Sequence, residues 1–165
     1  MVVSPQIVNL SNLAREAARE FGPAAGGHGS RLEVRTPSIP ALALADPDRV
    51  RQIIRILLDN ALTHTPEGTK VTVSSYTTST YAELTVSDEG PGIPKRIQAR
   101  MFERFYTGDE VSGSGLGLSI AKELAQHMGG GISVMASKGF NAFTLDLPPA
   151  SRTSPTSPEL AEAGT

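Results

Sequence analysis

Four short segments of this chain carry side chains and backbone groups with distinct chemistry. They are Asn60 within an apolar helical pattern, residues 88–92 (DEGPG), residues 102–105 (FERF) and residues 113–118 (GSGLGL). An amide oxygen is a hard ligand suited to Mg²⁺, and a carboxylate at the end of a strand can accept a hydrogen bond from an amine. A glycine-rich turn that opens a helix presents free N–H groups, which favour phosphate. Together the segments predict the parts of one nucleotide pocket.

Each segment alone also has an ordinary structural explanation. Asn60 could bond a nearby backbone group on the flank of its helix, and residues 88–92 could form a plain tight turn. The phenylalanines of residues 102–105 could simply pack in the core. Residues 113–118 lack the lysine of a P-loop and do not begin a βαβ unit, so they form another kind of phosphate cradle or a glycine linker. The order and joint occurrence of the segments favour the pocket.

The glycines and phenylalanines of these segments have predicted structural roles. Gly90 and Gly92 would permit positive φ and the close approach of a ligand. Phe102 and Phe105 would lie on one side of a helical turn, because residues three apart are neighbours on a helix. In that position the two rings would anchor a mobile flap over residues 107–112.

Apolar residues at helical spacing predict three helices. The first covers residues 7–21 and ends at the Gly-Pro pair 22–23. The second begins at Asp46, a good N-cap, and its apolar stripe carries Asn60 on its flank. The third covers residues 116–128.

Alternation with period two predicts six short strands, of which the third and fourth form a hairpin. They cover residues 31–35, 39–45, 70–76, 81–88, 132–136 and 142–147, and residues 94–105 are expected to form short helical turns. Because strands and helices mix without regular βαβ alternation, we expect an α+β fold. It would be a two-layer α/β sandwich, in which a mixed sheet of about five strands packs against about three helices.

Pro, Ser, Thr and Ala dominate from residue 148 onward, and such segments lack the apolar surface needed to fold. The predicted organisation is therefore a linker over residues 1–6, one domain over residues 7–147 and a disordered tail over residues 148–165.

Composition argues against several functional classes. The 165 residues include 15 basic and 17 acidic side chains without a basic cluster, which disfavours nucleic acid as a ligand. The chain has no cysteine, and its histidines (His28, His64 and His127) are too widely separated to suggest a metal cluster. No apolar run approaches the roughly 18 residues that span a bilayer, and the first residues do not resemble a secretory signal. We expect a soluble, intracellular domain.

In sequence and order, the four segments resemble the catalytic ATP-binding domain of bacterial sensor histidine kinases, within the GHKL superfamily. Residues 46–61 resemble the asparagine box and its lead-in, and residues 88–94 the first glycine box. Residues 102–106 resemble the phenylalanine box, and residues 113–118 the second glycine box. The resemblance runs from about residue 5 to Leu147 and implies the Bergerat fold, with ATP held under a lid.

The resemblance also implies roles for individual residues. Asp88 would bind the adenine amine, Gly92 would let the base approach, and Asn60 would hold Mg²⁺ between the phosphates. The amides of residues 115–117 would cradle the β- and γ-phosphates. The implied ATP-binding set is Asn60, Thr63, His64, Asp88, Gly90, Gly92, Ile93, Phe105, Gly113, Ser114, Gly115, Leu116, Gly117 and Leu118. Asn60 and Arg104 are the implied catalytic residues, and Asn60 is the implied metal ligand.

Several positions depart from the family pattern. Ile56 stands where hydrolysing members of the superfamily carry a water-activating acid, and it cannot act as a base. Thr63 replaces a lysine or arginine that contacts phosphate, and His64 replaces a common tyrosine, although it could cover the adenine face. The lid, residues 107–112, is short and acidic, which leaves Arg104 as the nearest cation for phosphate. We expect modest ATP affinity and no autonomous ATPase activity.

None of the three histidines is followed by the acid and Arg-Thr-Pro of a phosphoacceptor box. The resemblance therefore implies that the γ-phosphoryl group passes to a histidine on a separate dimerisation domain, with a response regulator downstream. We expect this chain to be largely monomeric and not to phosphorylate itself. The intact kinase would be a membrane-anchored homodimer with this domain in the cytoplasm. The alternative is a regulatory module with a degenerate pocket that acts through protein contacts.

Overall fold

Seven strands and four helices follow one another in the part of the chain that the computed structural model describes, residues 4–106 and 116–150. In chain order they are β1 (Gln6–Asn9), α1 (Leu10–Gly27), β2 (Leu32–Arg35), β3 (Leu42–Ala45), α2 (Pro47–Thr63), β4 (Val71–Thr77), β5 (Ala82–Asp88), α3 (Lys95–Gln98), α4 (Gly117–His127), β6 (Gly131–Ser137) and β7 (Phe140–Leu147). None of these described helices is long and apolar enough to cross a membrane. The predicted α+β class is confirmed.

The main sheet has five strands in the order β2-β4-β5-β7-β6, with β5 at its centre. β2 runs parallel to β4, and the other neighbours are antiparallel, as the predicted hairpin of β4 and β5 requires. The register places Asp88, the last residue of β5, between Val71 on β4 and Asn141 on β7. β1 and β3 form a separate antiparallel pair.

The apolar stripe of α2 packs into the centre of the core. Its buried residues are Val50, Ile53, Ile54, Leu57, Leu58 and Ala61. Alternate residues of the central strands complete the same cluster, among them Val71, Val73, Leu84, Val86, Phe143, Leu145 and Leu147. Because successive side chains of a strand point to opposite faces, one face of the sheet is apolar and is covered by α1, α2 and α4. This packing places α2 against β5, the central strand.

The first helix differs from its prediction over residues 7–21. Residues 6–9 form a strand paired with β3, and the helix runs from Leu10 to Gly27 with Pro23 inside it. Apolar spacing did not reveal the strand, because its partner lies more than thirty residues away along the chain. Ala25 beyond the proline is buried, so packing of the last turn offsets the backbone bond that proline removes.

Backbone pairing also continues past the predicted end of the domain. Leu44 N donates to Pro148 O at 2.9 Å, and Ala150 N donates to Leu42 O at 3.0 Å. The predicted tail over residues 148–165 therefore begins too early, because β3 offers hydrogen-bonding groups to a segment without a strand pattern of its own. Gln6, in the predicted linker, likewise belongs to β1. Residues 151–165 lie outside the described part.

Asp46 is the N-cap of α2, as predicted. Its Oδ1 accepts from Asp48 N at 3.0 Å and Arg49 N at 3.4 Å, and its Oδ2 accepts from Ser4 N at 3.1 Å. The hydrogen bond from Ser4, together with those from the helix amides, lowers the pKa of Asp46 below its usual 3.8, although desolvation opposes the shift. The cap therefore stabilises the fold in its ionised form.

The substitution Asp46→Ala is expected to lower the free energy of unfolding by about 1–2 kcal/mol at pH 7, because it leaves the first amides of α2 without an acceptor. Since the folded-state pKa is lowered, this contribution is present above 3.8 and is lost as the pH falls through the folded value. Urea titrations at pH 7 and pH 3 measure both effects. Asp48→Ala is the control, because the exposed side chain of Asp48 makes just a surface pair with Arg51 among the described residues. Equal losses in the two variants at pH 7 would contradict the prediction.

Candidate nucleotide site

Asp88 ends the central strand with a buried carboxylate that is 4% exposed. Its Oδ1 accepts from Asn141 Nδ2 at 2.9 Å and from Gly90 N at 2.9 Å. Burial raises the pKa of Asp88, and these two hydrogen bonds oppose the shift. Asp88 Oδ2 has no hydrogen-bond partner among the described residues. It is also accessible from outside, since the buried polar atoms without a partner do not include it. One carboxylate oxygen is thus open to a donor on a ligand.

The glycines after β5 allow neighbouring segments of the protein to pack closely on the turn. Neither Gly90 nor Gly92 has a positive φ, so that part of the expectation is wrong. A methyl group on Gly90 would lie 2.9 Å from both Asp88 Oδ1 and Thr65 Cγ2, and one on Gly92 would lie 2.7 Å from Ser137 O. Glycine is required because the turn packs closely against the segment after α2 and against the end of β6.

α2 brings Asn60 to the same region. Four residues earlier, Ile56 Cγ2 would lie 3.5 Å from a methyl group on Gly117, so α2 contacts the first residue of α4. Five residues after Asn60, Thr65 contacts Gly90. Asn60 therefore lies on α2 between a contact with the start of α4 and a contact with the turn after β5.

The carboxamide of Asn60 is half-buried and makes no hydrogen bond within residues 4–106 and 116–150. Its backbone belongs to α2, and its backbone oxygen accepts from His64 N at 3.0 Å. A partly buried amide usually finds a local partner, because leaving it unpaired is unfavourable. The ordinary explanation of Asn60, a bond to nearby backbone, therefore does not apply, and its oxygen is available to a cation.

The start of α4 has no side-chain cap. Leu116 is its N-cap residue, and within residues 4–106 and 116–150 no side-chain cap hydrogen bond is made to the first turn. The first N–H groups of a helix lack partners within the helix and lie at the positive end of its dipole. The amides of Gly117 and Leu118 are thus suited to phosphate. The predicted site residues Gly113, Ser114 and Gly115 lie outside the described residues.

Three further predicted residues line the region less directly. Thr63 and His64 are exposed at the end of α2. Ile93 is half-buried against the core, and its backbone oxygen accepts from Gln98 Nε2 at 2.7 Å. The predicted lid over residues 107–112 begins at the first residue beyond the described range.

The two phenylalanines do not share one face, contrary to the prediction. Phe102 packs edge-to-face on Phe143 of β7, with ring centroids 6.3 Å apart. Phe105 is 67% exposed and has φ of 65°, a costly conformation for a bulky residue. The helix α3 has already ended at Gln98, so helical spacing does not apply to these residues. Phe102 anchors the segment, and Phe105 projects from it.

Arg104, the predicted phosphate cation, is paired with a carboxylate. Its Nη2 lies 3.5 Å from Glu123 Oε1 on α4, and both side chains are largely exposed. Exposed pairs of this kind contribute about 0–1 kcal/mol. The pair keeps Arg104 beside α4 and costs little to break.

Sequence reasoning missed Asn141. Its side chain is 4% exposed and donates to Asp88 Oδ1 and to Pro91 O, the latter at 2.7 Å. The sequence does hold one signal for it. Every second residue of β7 is buried, and among Asn141, Phe143 and Leu145 the asparagine alone is polar. A polar residue on the buried face of a strand requires a hydrogen-bond partner that is also buried.

Comparison with known proteins shows the family to which the chain belongs. Residues 45–151 match the family described as "Histidine kinase-, DNA gyrase B-, and HSP90-like ATPase". The chain is 36% identical over 146 residues to the "Probable sensor histidine kinase TcrY" of Mycobacterium tuberculosis, covering 86% of this chain and 30% of that protein. The chain spans about a third of the length of the curated relatives that it matches.

Solved structures share the fold. Full-length ShkA in complex with AMPPNP has a TM-score of 0.83 and 29% identity, covering 93% of this chain and 33% of that one. The nucleotide-free catalytic domain of histidine kinase ThkA has a TM-score of 0.79 and 27% identity, covering 88% and 97%. ThkA in complex with the response regulator TrrA gives a TM-score of 0.77 and 26% identity, covering 89% and 42%.

The family match and the fold shared with these catalytic domains identify an ATP-binding domain of the type found in histidine kinases. The chain belongs to the family of histidine kinase-, DNA gyrase B- and HSP90-like ATPases, and its relatives there include sensor histidine kinases. The predicted resemblance is confirmed.

The substitution Gly92→Ala is expected to lower the free energy of unfolding by about 1–3 kcal/mol, because its methyl group would press on the backbone oxygen of Ser137. Gly26→Ala is the matched control. Gly26 lies in α1 with nothing within 4 Å of an added methyl group, and alanine there should be neutral or stabilising. Urea unfolding of both variants measures the difference. Equal stabilities would show that the turn has room to spare.

Proposed function

We propose that this chain is the ATP-binding catalytic domain of a sensor histidine kinase that transfers the ATP γ-phosphoryl group to a histidine on a separate dimerisation domain. One observation carries the proposal. A buried carboxylate with one open oxygen at Asp88 lies beside a turn that packs on Thr65, just after α2. α2 carries the amide of Asn60, which has no partner among the described residues, and contacts the start of α4 through Ile56.

Asp88 is the group that would recognise the base. Its open Oδ2 can accept a hydrogen bond from the exocyclic amine of adenine, while Oδ1 is held by the protein. Guanine would instead present an oxygen, an acceptor, to the carboxylate. Gly92 lets the turn pack closely on Ser137 of β6, Ile93 offers an apolar contact, and His64 can cover the exposed face of the base.

Asn60 and the start of α4 would hold the phosphates. Mg²⁺ usually keeps several waters and is completed by phosphate oxygens, so it needs few protein ligands. No three His, Asp or Glu side chains within residues 4–106 and 116–150 could form a metal site, so an amide acting with phosphate fits the donor set. A bound Mg²⁺ would neutralise phosphate charge. The amides of residues 115–117 would bind the β- and γ-phosphates.

The remaining groups favour transfer to a histidine over hydrolysis. Ile56 carries no base to activate water, and its side chain packs near Gly117 at the start of α4. Transfer forms a bond from an imidazole nitrogen to the γ-phosphorus as the bond to the ADP oxygen breaks. This chemistry depends mainly on positioning and charge neutralisation. Arg104, once released from Glu123, would supply positive charge.

The partners follow from the same proposal. The acceptor histidine would lie on the dimerisation domain of the same kinase, and a response regulator would receive the phosphoryl group, the class of protein with which ThkA was solved. We assign this domain to the cytoplasm and propose that it is monomeric by itself. The intact kinase would be a membrane-anchored homodimer.

The substitution Asp88→Asn is expected to weaken Mg-ATP binding about tenfold or more, because a charge-assisted hydrogen bond is worth about 1.5–3 kcal/mol. The asparagine oxygen can still accept from Asn141 and Gly90, so the fold should persist. Calorimetric titration with Mg-ATP measures the loss. Asp59→Asn is the matched control, since exposed Asp59 makes no ion pair within the described residues. Absence of magnesium-dependent binding by the wild type would favour the regulatory module.

The phosphotransfer step is tested by mixing the chain with the cognate dimerisation domain and γ-labelled ATP. We expect acid-labile phosphohistidine on the added domain and none on this chain alone. Asn60→Ala should reduce the rate about a hundredfold or more, since it removes the proposed cation ligand. Gln52→Ala, which removes an exposed amide from the same helix, should leave the rate unchanged. Label on the isolated chain, or steady phosphate release from it, would contradict the proposal.

A further inference from the structure

Asn141 is a buried part of the site to which the proposed function assigns no role. It lies directly opposite Asp88 in the register of β5 and β7 and is 4% exposed. Its Nδ2 donates to Asp88 Oδ1 at 2.9 Å and to Pro91 O at 2.7 Å. A single carboxamide therefore connects the buried carboxylate to the turn that follows it.

The carbonyl oxygen of the Asn141 side chain, Oδ1, indicates what the residue contributes. Asn141 Oδ1 is fully buried and has no hydrogen-bond partner among the described residues. The amide orientation is set by its surroundings, because the two acceptors at Nδ2 would repel an oxygen placed there. Buried acceptors without a partner are rare and unfavourable. An apolar side chain would avoid that cost, so the two donated bonds are the contribution of Asn141.

We propose that Asn141 is the positioning residue for base recognition: it holds the Asp88 carboxylate so that Oδ2 faces the amine of adenine. The inference rests on the proposed function, because it requires adenine at Asp88. The N–H of Gly90 and the amide of Asn141 both bond Oδ1, which leaves Oδ2 for the ligand. The second bond, to Pro91 O, holds the turn that follows Asp88.

Asn141 also favours the charged form of the carboxylate. Burial raises the pKa of Asp88, and the hydrogen bond from Asn141 is the larger of the two contacts that lower it. The residues opposite Asp88 on β4 and β7 are uncharged. Lys70 and Glu89 face each other at 4.0 Å, and His64 at the end of α2 is exposed. Removal of the amide donor should therefore move the titration of Asp88 to higher pH.

The substitutions Asn141→Thr and Asn141→Val form the matched test, because they share one shape and only threonine keeps a donor. Binding of ATP and of purine riboside triphosphate, which lacks the amine, is measured by calorimetry on the whole chain with Mg²⁺. The wild type should prefer ATP about tenfold or more. Valine should reduce the preference to about twofold or less, and threonine should keep most of it. A purely structural role would weaken both nucleotides alike and leave the ratio unchanged.

The pH profile is the second readout. The pH below which ATP affinity declines should lie higher for Asn141→Val than for Asn141→Thr, because only valine removes the donor that favours the charged carboxylate. If valine keeps the wild-type preference and pH profile, the inference is overturned while the proposed function stands. If the wild type binds no ATP, both are overturned. Should the branched variants unfold, Asn141→Ser and Asn141→Ala make the same comparison.

Discussion

The burial of one carboxylate is the constraint on which the rest of this site depends. A carboxylate removed from water is costly unless hydrogen bonds replace its hydration. Asp88 receives one bond from Gly90, two residues away, and one from Asn141, 53 residues further along the chain. The second bond exists only in the observed register of β5 and β7. A slip of one residue would reverse the faces of the strand and place its apolar side chains in water. The apolar core and the polar pocket therefore require the same register.

α2 connects the sheet to the part of the proposed pocket that would bind phosphate. Its buried stripe fixes the rotation of the helix on the sheet, and the cap at Asp46 fixes where the helix begins. Together they determine where Asn60 stands, since each residue advances 100° around the axis. Two contacts hold the part of the chain around Asn60. Ile56 contacts the start of α4, and Thr65 contacts the turn after β5. Asn60 is placed by packing, although its own side chain bonds to nothing in the described protein.

The elements that the sequence predicted are those whose signals are local. α2 carries a complete apolar stripe and a cap, and β4 and β5 alternate on both sides of a polar link, so neighbouring residues suffice. β1 and residues 148–150 were missed because β3, their partner, lies far away in sequence. Phe105 was misjudged because its φ of 65° departs from the helical geometry that residue spacing presumes. Asn141 was missed because its role depends on the pairing of β7 with β5, and the residues around it in sequence do not reveal that pairing.

The two ends of the proposed pocket are organised differently, and the difference suits the proposed transfer to a histidine on a second domain. At the base end, Asp88 is enclosed and held by Asn141, so recognition of the base requires little rearrangement. At the proposed phosphate end, the amide of Asn60 and the first amides of α4 have no side-chain partner among the described residues, and Arg104 is held by an exposed pair that contributes little. Unpaired groups of this kind are unfavourable in the free protein, and a bound polyphosphate would satisfy them. A rigid base site beside an open phosphate site would thus anchor the nucleotide while leaving its terminal phosphate accessible to a histidine from outside the domain.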